Sequence, residues 1–431
     1  MSIGLNTRFV SSVTMDELKK EYLPKLKEIY NNLILNKAEG IEMTGWLSWP
    51  FKDHSQWIKQ AEDIRLDWID QGVKVVVIVG TGGSYLGTKA CLEFVNDSFE
   101  ENHFEFLFLP YFADRYLDST LRYLKNKKFA IVVISKSGGT LESAVSFRLL
   151  RQLLFDQEKE GHNRYIISIT SKGSGVLYEM TEKHRYHFFE IEKSIGGRYS
   201  TLTPVGVVPA ILSGISGKEL LRGAEDCYKD QYHADYSTNL AFQYAAYRNY
   251  FFEKKGLVSE CLISYEPQLN GILHKMKQLF SESEGKNDKG LMPVIFDFTP
   301  DLHSVGQLLQ EGKTTFFETI LWVNESERLL LPETTFGNED KLDWLRNTPI
   351  KEINNSAFLG TVKAHSEVKG INALVLNLQD WSPYTFGYLY FFLCLSAMFS
   401  AYLFGQNPFD QPGVEAYKAR MIALLKTRSE V

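Results

Sequence analysis

The chain has 431 residues, 44% of them hydrophobic, and a formal net charge of -6. This length predicts two or three domains with a sizeable core, and the acidic balance without runs of Lys or Arg argues against binding to nucleic acid or to a membrane surface. The four cysteines lie far apart in the sequence, which predicts reduced, buried thiols and neither a zinc site nor a disulfide scaffold.

The first residues lack the apolar core of a signal peptide, so the sequence predicts a cytoplasmic protein. We expect residues 1–66 to form a helical arm, with a helix over 15–35 that packs on the first domain. This arm carries no recognisable motif.

The first predicted strand, at 74–79, is a continuous apolar run of the kind found in parallel sheets covered on both faces. It ends in GTGGSYLG, at 80–87. This loop fails the dinucleotide-binding pattern at Tyr85 and the P-loop pattern at Thr88, so nucleotide binding is not expected. What remains is a glycine turn after a strand, with Ser84 available to a ligand.

The stretch IVVISKSGGTLES, at 131–143, reads as a buried strand, a tight polar turn and the start of a helix. Ser135, Ser137 and Thr140 can donate hydroxyl hydrogens to an oxyanion, the two glycines let backbone amides approach it, and Lys136 adds positive charge. Because the amides at a helix N-terminus lack internal partners, this turn predicts a phosphate site. The alternative is an ordinary strand-to-helix turn.

A third strand at 165–170 also ends in small polar residues, and parallel strands place such turns along one edge of the sheet, where open α/β sheets bind ligands. A fourth strand at 185–191 leads to Arg198 behind two glycines, which suggests a fixed guanidinium; the alternative is an exposed surface turn. His184 and His187 form the only close histidine pair. Without convincing further ligands, they predict no metal site.

The alternation of strands and helices resumes near residue 237 and indicates a second α/β domain, with strands at 258–265, 294–298, 315–323 and 373–378. We place the first domain at 67–215, a connecting helix or linker at 216–236, the second domain at 237–400 and a C-terminal segment at 401–431. The uncharged stretch 384–404 is long enough to span a membrane. Aromatic residues fill its middle and no Lys/Arg cluster flanks it, so we expect a buried central helix.

Three further blocks complete the pattern: SESEGK at 281–286, DLHSVGQ at 301–307 and FDQPGVEAYK at 409–418. Together with GTGGSYLG, SKSGGTLES and GGRYS, in this order, they resemble the glucose-6-phosphate isomerase family of the sugar-isomerase (SIS) superfamily. The resemblance runs from about residue 70 to the C-terminal block. It implies two three-layer αβα domains with largely parallel sheets, and interconversion of glucose 6-phosphate and fructose 6-phosphate through an enediol or enediolate.

Residue by residue, the resemblance implies a catalytic base at Glu282, an arginine facing the reacting carbons at Arg198, and ring-opening groups at His303 and Lys418. It implies that the substrate is held by the following residues: Gly83, Ser84, Ser135, Lys136, Ser137, Thr140 and Gln411. Glu284 and Ser281 depart from the residues most members carry, which leaves two nearby carboxylates; position favours Glu282 as the base.

The chemistry implied by the resemblance requires neither a metal nor another cofactor, because a carboxylate can move a proton between adjacent carbons unaided. The resemblance also implies a homodimer in which His303 reaches into the partner's site. Two alternatives stay open on sequence alone. One is a non-catalytic sugar-phosphate sensor built on the same domains, and the other is an isomerase of broader specificity that also accepts mannose 6-phosphate.

Overall fold

The computed structural model describes residues 2–97, 103–136, 138–325 and 329–427. Its strands are β1 Ile3–Phe9, β2 Val75–Val79, β3 Glu105–Phe108, β4 Phe129–Ile134, β5 Ile166–Thr170, β6 His187–Glu190, β7 Ser259–Ser264, β8 Met292–Asp297, β9 Phe316–Val323 and β10 Ala373–Leu378. Its α-helices are α1 Met15–Ile34, α2 Gly45–Ser48, α3 Ser55–Asp70, α4 Gly83–Val95, α5 Asp114–Leu124, α6 Leu141–Glu158, α7 Val176–His184, α8 Pro204–Leu212, α9 Gly217–Gln231, α10 Leu240–Lys255, α11 Asn270–Glu284, α12 Gly306–Glu311, α13 Ile350–Lys363, α14 Pro383–Leu403 and α15 Glu415–Thr427.

The first sheet has the strand order β3-β2-β4-β5-β6, and all of its neighbouring strands are parallel. Every residue of β2, β4 and β5 is buried, as expected for Val- and Ile-rich strands covered by helices on both faces. The predicted α/β class with largely parallel sheets is confirmed. The short strand β3 was not predicted, because its four residues give too little pattern to separate it from a loop.

The second sheet has the order β1-β10-β9-β7-β8, and it is parallel except for β1. The prediction of a helical arm packed on the first domain is wrong for strand β1 and for helix α1. β1 pairs antiparallel with β10, with Ile3 opposite Leu378, and α1 packs against α10 and α14. β1 mixes polar and apolar residues and gains its partner from the far end of the chain, so no local pattern reveals it. The domain boundaries given above stay a prediction.

Helix α14 is the uncharged stretch singled out in the sequence. It is long and apolar enough to cross a membrane by length and composition, yet 89% of its most apolar window is buried inside the fold. It packs against α9, α10 and α11. The prediction of a central buried helix is therefore confirmed, because other helices of the same chain cover the apolar surface of α14.

Two helices join the halves of the molecule where the site lies. α4 follows β2 of the first sheet, α11 follows β7 of the second, and the two helices pack against each other. Both also contact the short 3-10 turn Gly197–Tyr199. The carboxyl end of β2, the turn that carries Arg198 and the helix that carries Glu282 are consequently held together.

Candidate active site

The guanidinium of Arg198 lies at the centre of the site, and this arginine is 1% exposed. Its Nε donates to Ser283 Oγ at 2.9 Å, and one terminal nitrogen donates to the carbonyl oxygens of Pro408 and Asp410. The other terminal nitrogen lies 3.6 Å from Glu282 Oε2. Because neutral acceptors hold one side of the planar fork, its remaining edge is fixed toward a single carboxylate.

Glu282 lies in the last turn of α11, and its side chain is 29% exposed. Besides the contact with Arg198, its Oε1 accepts a hydrogen bond from Gln278 Nε2 at 3.2 Å. The carboxylate thus has a donor on either side and still reaches solvent, which leaves room for a ligand.

Glu284, two residues further on, has a different environment. It is fully buried, and both of its oxygens accept hydrogen bonds from the guanidinium of Arg248, at 2.7 and 2.9 Å. Ser400 Oγ also donates to it at 2.7 Å. Because residues two apart point to different sides of a helix, one carboxylate is engaged in the core while the other faces the site.

The turn after β2 packs against the backbone at Gly197 and Arg198 and lies beside Gln278. Gly83 packs so closely on the turn before Arg198 that a Cβ there would lie 2.1 Å from the Gly197 carbonyl oxygen. Gly82 has a φ of 52°, and a Cβ on it would lie 3.1 Å from Gln278 Nε2. Only residues without a side chain allow this approach. Ser84 follows as the second residue of α4 and is partly exposed.

The hydroxyl-rich turn after β4 lies beside the β2 turn, because β2 and β4 are adjacent and parallel. Ser135 is buried, and its Oγ accepts a hydrogen bond from the amide of Gly138 at 3.0 Å. Thr140 is exposed and immediately precedes α6, and its side chain does not cap that helix. Lys136 Nζ donates to the carbonyl oxygen of Lys193 at 2.9 Å, and partial burial lowers the pKa of its ammonium. Ser137 lies outside the described residues.

The C-terminal segment returns to Arg198 through the backbone of Pro408 and Asp410, next to the exposed Gln411. Lys286 fastens the same segment, because its Nζ lies 2.7 Å from Asp410 Oδ1 and donates to the carbonyl oxygen of Asn407. Sequence reasoning missed this role of Lys286, and it missed Gln278 altogether. Lys286 stands inside the SESEGK block, and Gln278 lies one helical turn before Glu282, a spacing that could have suggested it.

His303 and Lys418 are not brought to Arg198 or Glu282 by contacts among the described residues. His303 is exposed at the end of the 3-10 turn Pro300–His303. Lys418 Nζ pairs with Glu415 Oε1 at 3.0 Å on α15, a helix that buries none of its residues. Contacts among the described residues therefore bring together Glu282, Arg198 and the turns after β2 and β4, but not His303 or Lys418.

No group of three or more His, Cys, Asp or Glu side chains in the described part of the chain could hold a metal ion. The two histidines noted in the sequence have other partners: His184 Nε2 lies 3.0 Å from a guanidinium nitrogen of Arg151, and His187 Nε2 lies 3.1 Å from the carbonyl oxygen of Arg164. All four cysteines are free and buried, as predicted.

A family model described as phosphoglucose isomerase matches residues 53–321, more than half of the chain. The chain belongs to the phosphoglucose isomerase family. It is 37% identical to a glucose-6-phosphate isomerase of Mycoplasmoides gallisepticum, over 98% of this chain and 100% of that protein. It is 39% identical to a glucose-6-phosphate isomerase of Mycoplasma capricolum, over 94% of each chain.

Solved structures show the same fold. A hypothetical protein of Thermus thermophilus superposes with a TM-score of 0.87 at 26% identity, covering 98% of this chain and 99% of that one. A glucose-6-phosphate isomerase of Chlamydia trachomatis gives a TM-score of 0.80 at 21% identity, covering 100% and 89%; at that identity the likeness shows the fold alone. The family, the enzyme class and the fold predicted from the sequence are confirmed.

Proposed function

We propose that this phosphoglucose isomerase interconverts glucose 6-phosphate and fructose 6-phosphate with Glu282 as the base that moves the proton. The observation that carries the proposal is the position of Glu282, whose carboxylate lies 3.6 Å from the buried guanidinium of Arg198. Gln278 donates to this carboxylate and lies beside the glycine turn after β2, so the proposed base and this turn are neighbours.

The reaction moves a proton from C2 to C1 of the sugar while the carbonyl group moves the other way. Glu282 takes the proton on one carbon and returns it to the next, as one positioned general base. Negative charge develops on the sugar oxygens in the enediolate, and the fixed guanidinium of Arg198 stabilises it without reorganising. The choice of Glu282 over Glu284 follows from their surroundings, because Glu284 is fully occupied by Arg248.

The phosphate group does not react, so its binding contributes by holding the sugar in register. We assign this role to Gly83, Ser84, Ser135 and Thr140, with Lys136 supplying positive charge. The exposed Thr140 and the start of α6 offer donors to an oxyanion. Two further residues belong to the same proposal, Ser137 in the phosphate turn and Gln411 at the sugar.

A coupled assay tests the activity directly. With fructose 6-phosphate as substrate and a dehydrogenase that oxidises glucose 6-phosphate, the purified chain should give a signal in proportion to enzyme concentration. A non-catalytic sugar-phosphate sensor would bind fructose 6-phosphate and give no signal above the blank. Running mannose 6-phosphate in parallel measures whether the specificity is broader.

The homodimer is part of the proposal, with His303 and Lys418 as the ring-opening groups. His303 is exposed and makes no contact with Glu282 among the described residues, as expected for a group that serves the site of a second copy. Exposed aromatic residues lie on the segment after β9, where Phe336 is 78% and Trp344 is 77% exposed, and a second copy would cover such surfaces.

Coexpression of two inactive variants tests the shared site. In a hybrid of His303→Ala and Glu282→Gln subunits, one site carries both substitutions and the other carries neither. Random pairing should therefore restore about a quarter of the activity of the unmodified dimer, as the two-fold symmetry of such a dimer requires. Coexpression of Glu282→Gln with the double variant is the control and should restore nothing. Inactive hybrids would rule out a site shared through His303.

We further propose a cytoplasmic enzyme that works without a membrane. Helix α14 is buried in the fold, and the buried free thiols fit a reducing compartment. Fractionation of the cells that produce the chain would place it in the soluble fraction.

A further inference from the structure

Lys275 is a buried cation that the mechanism above does not use. It lies on α11, two turns before Glu282, and is 0% exposed. Within the described residues, the one hydrogen bond of its Nζ goes to Gln278 Oε1, at 2.9 Å. A methionine or leucine would fill the same volume without the cost of burying an ammonium group. The buried charge therefore indicates a functional role.

The groups around Lys275 provide no counter-ion in direct contact among the residues that the structure describes. Those that face it are Glu282 on its own helix, Arg198 on the neighbouring turn, and Tyr390 and Cys394 on α14. Burial raises the pKa of the Cys394 thiol to about 12 and raises the pKa of Tyr390 well above its usual value, so both stay neutral. Burial in turn lowers the pKa of the Lys275 ammonium to about 8. Its nearest hydrogen-bonded route to a carboxylate runs through Gln278.

Gln278 can face Glu282 in two ways, and Lys275 permits only one. An amide side chain has an oxygen that accepts and a nitrogen that donates, whereas a lysine only donates. With Oε1 on Lys275, Nε2 points to Glu282 Oε1 at 3.2 Å. Turned over, the amide would set donor against donor at Lys275 and acceptor against acceptor at Glu282. We propose that Lys275 is a positioning residue of the isomerisation, which holds Gln278 with its donor toward the base Glu282.

This inference rests on the proposed role of Glu282 and goes one residue beyond it. Lys275 is fully buried and donates to Gln278, so its effect on the reaction has to pass through Gln278. Through Gln278 it orients the Glu282 carboxylate before substrate arrives, because the amide donor then points at Glu282 Oε1.

The test is Lys275→Met, which keeps the buried volume and removes the charge and the donor. We expect kcat for fructose 6-phosphate to fall roughly 10-fold to 100-fold, as for a misplaced catalytic group, while KM changes little because other residues hold the phosphate. Lys277→Met is the matched control, since Lys277 is exposed on the same helix.

Stability separates positioning from a structural role. The pKa of Lys275 is lowered in the fold from 10.5 to about 8, so the unfolded chain binds the proton more tightly. Burial of the charge therefore weakens folding progressively as the pH falls through that range, and fully below about pH 8. Lys275→Met should therefore melt at the same or a higher temperature than the unmodified enzyme at pH 7, although it turns over more slowly. A lower melting temperature together with unchanged kcat would show a structural lysine and overturn the proposal.

A double-substitution cycle shows whether the effect passes through Gln278. In a Gln278→Met background, Lys275→Met should lower kcat by less than about twofold, because residues that act through one another are not additive. A further loss of kcat as large as the loss that Lys275→Met causes in the unmodified enzyme would overturn the proposal. If Glu282→Gln is inactive and Lys275→Met is fully active, the positioning role alone fails; if Glu282→Gln keeps full activity, the base itself is wrong.

Discussion

Glu282→Gln should lower kcat for fructose 6-phosphate by roughly 100-fold to 10,000-fold, the usual contribution of a general base. The amide keeps the shape of the carboxylate and can still accept the hydrogen bond from Gln278, but it cannot take a proton from carbon. Substrate binding should survive, because the phosphate turns after β2 and β4 are untouched. Steady-state kinetics in the coupled assay gives kcat, and calorimetric titration with fructose 6-phosphate gives the affinity.

Glu284→Gln is the matched control, since it makes the same chemical change two residues away. Glu284 is buried against Arg248, so this variant should lose stability and keep most of its kcat per folded molecule. Full turnover by Glu282→Gln, with loss of turnover by Glu284→Gln at a temperature where both are folded, would exchange the roles of the two carboxylates. Full turnover by both variants would show that neither carboxylate of α11 is the base.

Most of the strands were predictable because they are local apolar runs. The runs at β2, β4 and β5 are buried on both faces and therefore contain almost no polar residue. β1 escaped prediction since its pairing partner, β10, lies at the other end of the chain. Its identity as a strand is a property of the pairing, which a local pattern does not contain.

The site was predictable only through the family resemblance. Nothing local in the sequence tells that Arg198 lies beside Glu282, because the contact depends on how α4 and α11 pack on the turn Gly197–Tyr199. The burial of Lys275 was not predicted from the sequence for a related reason. A lysine in a helix is normally exposed, and only the packing of α11 against α14 and α4 buries this one. Local chemistry alone suggested a phosphate role for the turn after β4, and that role stays a prediction, whereas tertiary packing determines the contacts of Arg198, Glu282 and Lys275.

Arg248→Met should lower the free energy of unfolding by about 3 to 5 kcal/mol, the usual cost of removing one partner from a buried ion pair. Arg248 is 0% exposed, and its guanidinium binds Glu260 at 2.9 Å and Glu284 at 2.7 Å. The guanidinium carbon also lies 3.9 Å from the centre of the Phe280 ring. Without the arginine, two buried carboxylates lose their counter-ion. Urea denaturation followed by circular dichroism measures the change.

Arg122→Met is the matched control for the loss of one arginine from an ion pair. Its partner Asp118 lies 2.9 Å away, but both side chains are more than half exposed, so this substitution should cost less than about 1 kcal/mol. Equal losses for the two variants would show that burial adds nothing to the Arg248 pairs.

The same network connects the buried core to the turn of α11 that carries Glu282. Glu284 ties the end of α11 to Arg248 on α10, and Glu282 stands two residues earlier in the same turn. Combining Arg248→Met with Glu260→Gln and Glu284→Gln removes all three buried charges together, so most of the lost stability should return, as charges no longer need compensation. Turnover in the triple variant depends on the position of the last turn of α11. It should recover only if Glu282 returns to its distance of 3.6 Å from the guanidinium of Arg198. A triple variant that regains stability and stays slow would show that Arg248 positions the base as well as holding the core.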